Sequence, residues 1–249
     1  MAMALYLASM FLFAVIFNVD LINIEFTIKF YATSVLGKIV LTVFTIFILV
    51  AFKMQSVMKP MSKGLIKGFV LGWFFIFGGI LLFFGNLDLS RIGSIEQGKW
   101  LLLLFLAIET LLAGISEEFL CRGFLYNIIF NRFKNVKKTV FISSFIFGII
   151  HLINLIHQPI ISTLVQVVYA FAFGVLFAAI YVRCKNIWVV VLLHGFWNFC
   201  VSAAPQVLTP PDVIAENGIA AQIPLFVLSA FTVCLGLFLI RKKKITDIT

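Results

Sequence analysis

The amino-acid sequence predicts an all-α, polytopic membrane protein, a bundle of about eight transmembrane helices with both termini in the cytoplasm. Composition, the length of the apolar runs and the distribution of basic residues support this prediction. Hydrophobic residues make up 63% of the 249 residues and charged residues only 12%, and the mean hydropathy is +1.15. A chain of this composition cannot be arranged around one water-soluble core.

Eight apolar runs are long enough to cross about 30 Å of hydrocarbon. The fourth run is overlong, so it is expected either to extend past the membrane or to bend near Gly114. No polar connection is long enough to fold separately, so residues 1–249 are expected to form a single integral membrane domain. The runs cover residues 4–18, 34–52, 65–85, 100–130, 139–156, 161–182, 186–203 and 222–240.

Basic residues orient the bundle because most of them fall on alternate connections. The positive-inside rule places these connections and both termini in the cytoplasm. The net charge of +9 therefore does not indicate nucleic-acid binding. The cytoplasmic groups are Lys53, Lys59, Lys63 and Lys67, then Arg132, Lys134, Lys137 and Lys138, then Arg183 and Lys185, and finally Arg241 to Lys244, whereas Lys29, Lys38, Arg91 and Lys99 are assigned to the opposite connections.

The fourth run contains three ionisable residues in the stretch ISEEFLCRGFLY. Each would cost roughly 2.5 to 3.5 kcal/mol to place at the centre of a membrane helix. Glu118 and Arg122 are four residues apart, which is the spacing of an intrahelical ion pair. Glu117 is turned by about 100° around the helix, so it is predicted to be the carboxylate that is free for chemistry.

Two of the three histidines fall within later apolar runs, in FGIIH (residues 147–151) and HGFWN (residues 194–198). His194 and Asn198 share one helix face, so their side chains can converge on one small object such as a water molecule. Counted from the cytoplasmic charges, Glu117, His151 and His194 lie at similar depths in three helices. The third histidine, His157, is expected to be solvated in a connection.

These residue types together fit the hydrolysis of an amide bond without a covalent intermediate. A carboxylate and a histidine can deprotonate water, and a His/Asn pair can donate hydrogen bonds to an oxyanion. Alternatively, Glu117, His151 and His194 could bind a divalent metal such as zinc. A purely structural role, in which the polar groups hold helices together, is the competing interpretation.

Other intramembrane protease designs fit the sequence less well. There is no HExxH pair, and no aspartate lies within an apolar run, which excludes a two-aspartate site. A serine nucleophile stays open, although no elbow motif surrounds the available serines, and Cys121 is interpreted as a small apolar filler. Glu109 could line the same cavity as Glu117 or face a separate water pocket. The available serines are Ser116, Ser143 and Ser144.

The three motifs, taken in order, resemble the signature of the CPBP intramembrane proteases. This family includes the eukaryotic CAAX prenyl endopeptidases and the bacterial Abi or bacteriocin-immunity-type proteins. The resemblance covers about residues 100–203, which it identifies as the catalytic core. The matching motifs are Glu117-Glu118-x-x-x-Arg122, Phe147-x-x-x-His151 and His194-x-x-x-Asn198.

The resemblance implies a role for each residue. Glu117 with His151 would activate the attacking water, and His194 with Asn198 would position it or stabilise the oxyanion. Glu118 and Arg122 would form a supporting pair. The family is classified as metalloproteases, but a glutamate-dependent mechanism without a tightly held metal is also proposed for it, and the sequence leaves both open.

The substrate is expected to be a hydrophobic or membrane-associated peptide or membrane protein, prenylated or of the leader type, that enters from the cytoplasmic half. The alternative function is that of a non-proteolytic membrane protein that confers self-immunity to a bacteriocin or binds a membrane partner such as a sensor kinase. A transporter is a third interpretation, but the repeats or broken helices typical of transporters are not found in the sequence. The short connections and small size look more like those of the bacterial members, so a multi-pass protein of a bacterial plasma membrane is expected, in contact with membrane lipids in each case.

Overall fold

The computed structural model describes residues 24–59, 62–85, 97–156, 158–203 and 223–241, and all regular structure in these ranges is helical. The predicted run at residues 4–18 lies outside them, as does His157. The other seven predicted runs coincide with helices. The described helices are α1 Ile24–Ala51, α2 Leu65–Leu71, α3 Trp73–Gly85, α4 Gln97–Glu118, α5 Tyr126–Phe133, α6 Val136–Ile150, α7 Ile160–Cys184, α8 Ile187–Ala203 and α9 Ile223–Ile240, with a π-helical segment Phe119–Leu125 between α4 and α5 and 3-10 turns at Gln55–Met58 and His151–Ile156.

Several of these helices are long and apolar enough to cross a membrane. Four qualify alone within the described residues, and a fifth span is formed if α2 and α3, which meet at a bend of 58°, are counted as one. Helices α8 and α9 are apolar but shorter. The prediction of an all-helical multi-pass membrane protein is thus confirmed, whereas the number of spans and the orientation of the termini stay predictions. The four spans are Ala32–Ala51, Lys99–Phe133, Val136–Ile156 and Ile160–Cys184.

The overlong fourth run forms one continuous span from Lys99 to Phe133. The α-helix continues through Gly114, and its irregularity is the π-helical segment that begins at Phe119. Wide π-type turns leave carbonyl groups without their usual α-helical partners. The Asn127 side chain compensates for this, because its Nδ2 donates to the carbonyl oxygens of Gly123 at 2.7 Å and Arg122 at 3.3 Å.

Gly114 lies at a close crossing of α4 and α8. A Cβ atom on Gly114 would lie 2.7 Å from the carbonyl oxygen of Val191, and one on Gly195 would lie 3.1 Å from the Cα of Leu111. Small residues at such a point allow two helix backbones to approach closely. The crossing brings His194, which precedes Gly195, next to the turn of α4 that carries the two glutamates.

The bundle has two recognisable ends. At one end, Trp188 Nε1 donates to the carbonyl oxygen of Met58 at 2.9 Å, and Asn186 Nδ2 donates to that of Lys63 at 3.4 Å. The connections between α1 and α2 and between α7 and α8 therefore meet there. We call this the basic end, because these connections are rich in lysine. The α4–α5 span runs toward the same end, since Phe124 contacts Phe52 at a ring-centroid distance of 4.9 Å, so we include the basic α5–α6 connection.

Candidate active site

A cavity of about 580 Å³ lies within the bundle. Its wall includes all four residues that the sequence predicts to be catalytic, namely Glu117, His151, His194 and Asn198. They come from α4, the 3-10 turn after α6, and α8, so distant parts of the chain supply one chamber. Apolar and aromatic residues such as Phe173 and Trp197 complete much of the remaining wall.

The Glu117 carboxylate lies between a lysine and a histidine. Its Oε1 is 3.8 Å from Lys38 Nζ and its Oε2 is 3.8 Å from His194 Nε2. The Glu117 side chain is 16% exposed, and the Lys38 side chain is 22% exposed. Polar atoms at this separation can be bridged by a water molecule, so the geometry leaves room for a water between Glu117 and His194.

Glu118 is fully buried and binds Nδ1, the other ring nitrogen of His194. Its Oε1 accepts hydrogen bonds from Arg122 Nη1 at 2.8 Å and from His194 Nδ1 at 2.9 Å. An ionised carboxylate can only accept, so Nδ1 of His194 carries a proton. In the neutral ring the lone pair is then on Nε2, which faces Glu117. Glu118 is therefore both the partner of Arg122 and the residue that orients His194.

Arg122 is 1% exposed and is held from several directions. Its Nη2 donates to the carbonyl oxygen of Gly174 at 2.9 Å. Its guanidinium group also lies 4.8 Å from the ring centroid of Phe147 and 5.6 Å from that of Phe177. Such cation–π contacts favour a desolvated cation. The positive charge that balances Glu118 is thus fixed in position.

The two histidines are oriented by backbone and aromatic contacts as well. His151 Nδ1 lies 2.8 Å from the carbonyl oxygen of Phe147, which can only accept, so the lone pair of the neutral His151 ring is on Nε2. The His194 ring stacks on Phe177 at a centroid distance of 5.2 Å. Phe147 contacts both histidine rings edge-on, at 5.0 Å from His151 and 5.9 Å from His194.

The described residues do not form a metal-binding cluster as they stand, and the choice between a metal-dependent and a glutamate-dependent mechanism stays a prediction. No group of three or more His, Cys, Asp or Glu side chains in this part of the chain is arranged to hold an ion. The Phe147 carbonyl and Glu118 engage only Nδ1 of the two histidines, which is the usual outer contact of a metal-binding histidine and does not count against a metal. Glu117, His151 and His194 line a common cavity without forming a ligand cluster, and we derive no step through zinc.

Two further residues belong to the cavity. Lys38 was assigned to a connection by charge counting, but it lies within α1 and contacts Glu117. A lone lysine near the start of an apolar run is the signal that could have placed it there. Glu109 lines the same cavity as Glu117, and its Oε1 accepts a hydrogen bond from Ser34 Oγ at 2.7 Å. This answers the question of whether Glu109 faces a separate pocket.

The alternative nucleophiles lie away from this wall. Ser116, Ser143 and Ser144 are buried and do not line the cavity. The hydroxyl groups of Ser116 and Ser143 donate to carbonyl oxygens of their own helices. Cys121 is also buried outside the cavity. The geometry therefore offers these groups no access to a substrate in the chamber.

Comparison with known proteins identifies the same part of the chain. Residues 99–200 match the family model of the Type II CAAX prenyl endopeptidase Rce1-like proteins. No curated protein and no solved structure gives a significant match. The matched residues include all three motifs and every predicted site residue, but not Lys38. The resemblance of residues 99–200 to the CPBP, or CAAX-type, protease family is therefore confirmed.

Proposed function

We propose that this protein is an intramembrane endopeptidase that hydrolyses a peptide bond by means of water activated by glutamate and histidine. One observation carries the proposal: Glu117, His151, His194 and Asn198 line one cavity, and Glu117 lies 3.8 Å from a histidine nitrogen whose ring is fixed by a buried ion pair. Polar residues that only hold helices together would not need to line a common cavity. The similarity to CAAX-type proteases supports the same activity.

Glu117 acts as the general base. A water molecule between its carboxylate and the histidines loses a proton to Glu117 while the water oxygen attacks the carbonyl carbon of the substrate. His151 Nε2 accepts the second hydrogen of this water and so orients it. Lys38 stabilises the carboxylate before it takes the proton. General acid–base catalysis of this kind contributes about 10²–10⁴-fold to the rate.

The attack gives a tetrahedral intermediate with a negative oxygen. The Asn198 amide donates a hydrogen bond to this oxygen, and His194 helps to position the attacking water through Nε2. The Glu118 carboxylate fixes the His194 ring for this role, because it lies 2.9 Å from His194 Nδ1. The intermediate collapses when the carbon–nitrogen bond breaks, and Glu117 returns its proton to the departing amine.

The substrate of this reaction is a hydrophobic or membrane-associated peptide, since the cavity lies inside an apolar bundle. A prenylated protein and a leader-type peptide both satisfy this requirement. The competing function is a non-proteolytic membrane protein that acts through a partner. The two functions differ in their need for the chemistry of His194, because a binding protein requires only the shape of the bundle.

The test compares host membranes that contain the wild type, His194→Ala or no protein at all. Mass spectrometry of the peptides should show fragments that appear only with the wild type. Lys134→Gln, at an exposed position of the basic end, is the matched control and should give the wild-type fragments. If the wild type and a folded His194→Ala variant give the same peptides, the protein is not a protease of this kind.

Lys38 offers a second prediction. Lys38→Met removes the positive charge next to Glu117, so the ionised carboxylate loses stabilisation. We expect kcat/KM for peptide hydrolysis to fall about tenfold, which corresponds to about 1.4 kcal/mol of transition-state stabilisation. Lys38→Arg should retain most of the activity, and Lys67→Met, at an exposed lysine outside the cavity, should leave it unchanged. An unaltered kcat/KM for Lys38→Met would show that the ion pair has no part in hydrolysis.

A further inference from the structure

Within the described residues, the cavity does not reach the basic end of the bundle. Along α4 its wall consists of residues between Leu106 and Glu117, and none of the residues that follow, 118–133, contributes. On α1 the wall reaches from Lys38, at the middle of the helix, to Ser34, and on α8 it reaches from His194 to Ser202. Ser34 and Ser202 are in the parts of their helices that are farther from the basic end.

Distances along the helices support this placement. Glu117 precedes Arg132 by fifteen residues, which corresponds to roughly 22 Å of helix. Beyond Glu117 the wall continues to Gln158, in the connection between α6 and α7, and to Ser202 and Leu225, next to the ends of α8 and α9. The cavity therefore extends from the catalytic residues to the bundle end opposite the basic end.

This outer part of the cavity has several polar side chains beside apolar ones such as Leu106 and Leu225. Asn154 Nδ2 donates to Gln166 Oε1 at 2.7 Å, and both side chains line the wall. Glu109 lies eight residues before Glu117, or about 12 Å along α4. Amide and carboxylate groups can exchange hydrogen bonds with a peptide backbone, whereas an alkyl chain offers them no hydrogen-bonding partner. The chemistry of the wall fits a polypeptide segment.

We propose that the cavity receives its substrate from the extracytoplasmic face, an inference that rests on the proposed function. The positive-inside rule assigns the basic end to the cytoplasm, so the described wall past Glu109 and Ser202 leads toward the other side. The substrate class is then a polypeptide segment exposed outside the cytoplasm or in the outer leaflet. This differs from the entry through the cytoplasmic half that the sequence led us to expect.

Cysteine accessibility tests this inference without requiring catalysis. Of the native cysteines in the described residues, Cys121, Cys184 and Cys200 are buried and Cys234 is exposed, so Cys234→Ser provides the background. Ser202→Cys places a thiol in the wall of the outer cavity, and Lys134→Cys places one at the basic end. Each full-length variant is treated with a membrane-impermeant maleimide, in intact cells and after permeabilisation. Glu109→Cys is a second cavity variant in case Ser202→Cys does not fold.

We expect Ser202→Cys to be labelled in intact cells and Lys134→Cys only after permeabilisation. Labelling of the cavity thiol only after permeabilisation would overturn the proposed side of entry. Labelling in neither condition would show that the route is closed and would also overturn it. Labelling of Lys134→Cys in intact cells would contradict the orientation on which the inference depends.

Product mapping tests the substrate class separately. Bonds that the wild type cleaves and Glu117→Gln does not should lie in extracytoplasmic segments, and cleavage confined to cytoplasmic segments would contradict the inference. If no cleavage depends on Glu117, the proposed function fails, although the labelling result still reports which face the cavity opens on. The two failures are therefore distinguishable.

Discussion

Glu117→Gln is expected to lower the rate of peptide hydrolysis by about 10²–10⁴-fold, because the amide cannot accept the proton of the attacking water. Glutamine has nearly the same shape, and Glu117 is partly exposed and bonded only loosely to Lys38. The variant should therefore fold and still bind substrate. Single-turnover kinetics with a peptide identified from the membrane comparison would separate the chemical step from binding.

The matched control for this prediction is Glu117→Asp, which keeps the carboxylate but shortens its reach. It should retain more activity than Glu117→Gln. Thermal unfolding of both variants in detergent would show whether the fold is intact. A folded Glu117→Gln variant with wild-type turnover would remove Glu117 from the mechanism and leave His151 as the remaining base.

Arg122→Met is expected to lower the free energy of unfolding by about 3–5 kcal/mol, since it leaves the carboxylate of Glu118 buried without its cation. Glu118 is fully buried and Arg122 is 1% exposed, so water cannot replace the lost partner. Denaturant unfolding of the protein in micelles would measure the effect. Arg132→Met, at an exposed arginine, should change the stability little.

A double variant separates the charge from the shape of this site. Glu118→Leu combined with Arg122→Met removes both charges, and apolar replacement of a buried pair is often neutral for stability. The double variant should therefore be more stable than Arg122→Met alone. Its rate of peptide hydrolysis should nevertheless remain low, because the Nδ1 hydrogen of His194 has lost its acceptor. Equal stability of the single and double variants would show that the ion pair is not the source of the effect.

The helices of this protein could be predicted from hydropathy, but their irregularities could not. The run at 65–85 is apolar throughout, yet it is bent by 58° between α2 and α3. At the bend, Gly68 packs against Val189 of α8 and Gly72 packs against Leu193. Hydropathy reports the environment of a segment and contains no information on which partner helix it meets.

The candidate site was predictable as a set of residues rather than as a network. Spacing along one helix indicates that Glu118 and Arg122 can pair, because both lie on the same element. The hydrogen bond from His194 to Glu118 joins residues 76 positions apart, and the approach of Lys38 to Glu117 joins α1 to α4. Such contacts depend on how helices cross, as at Gly114 and Gly195, and a single sequence does not specify this.

The π-helical segment Phe119–Leu125 has a consequence for the comparison of sequences. A π-type turn contains more residues than an α-helical turn, so the residues after it are rotated around the helix axis relative to a regular helix. A relative with a regular helix here would need an alignment gap within a transmembrane segment. Only then would both the glutamate pair and the basic residues that begin at Arg132 align. Alignments that forbid gaps in helices would place one of these two groups out of register.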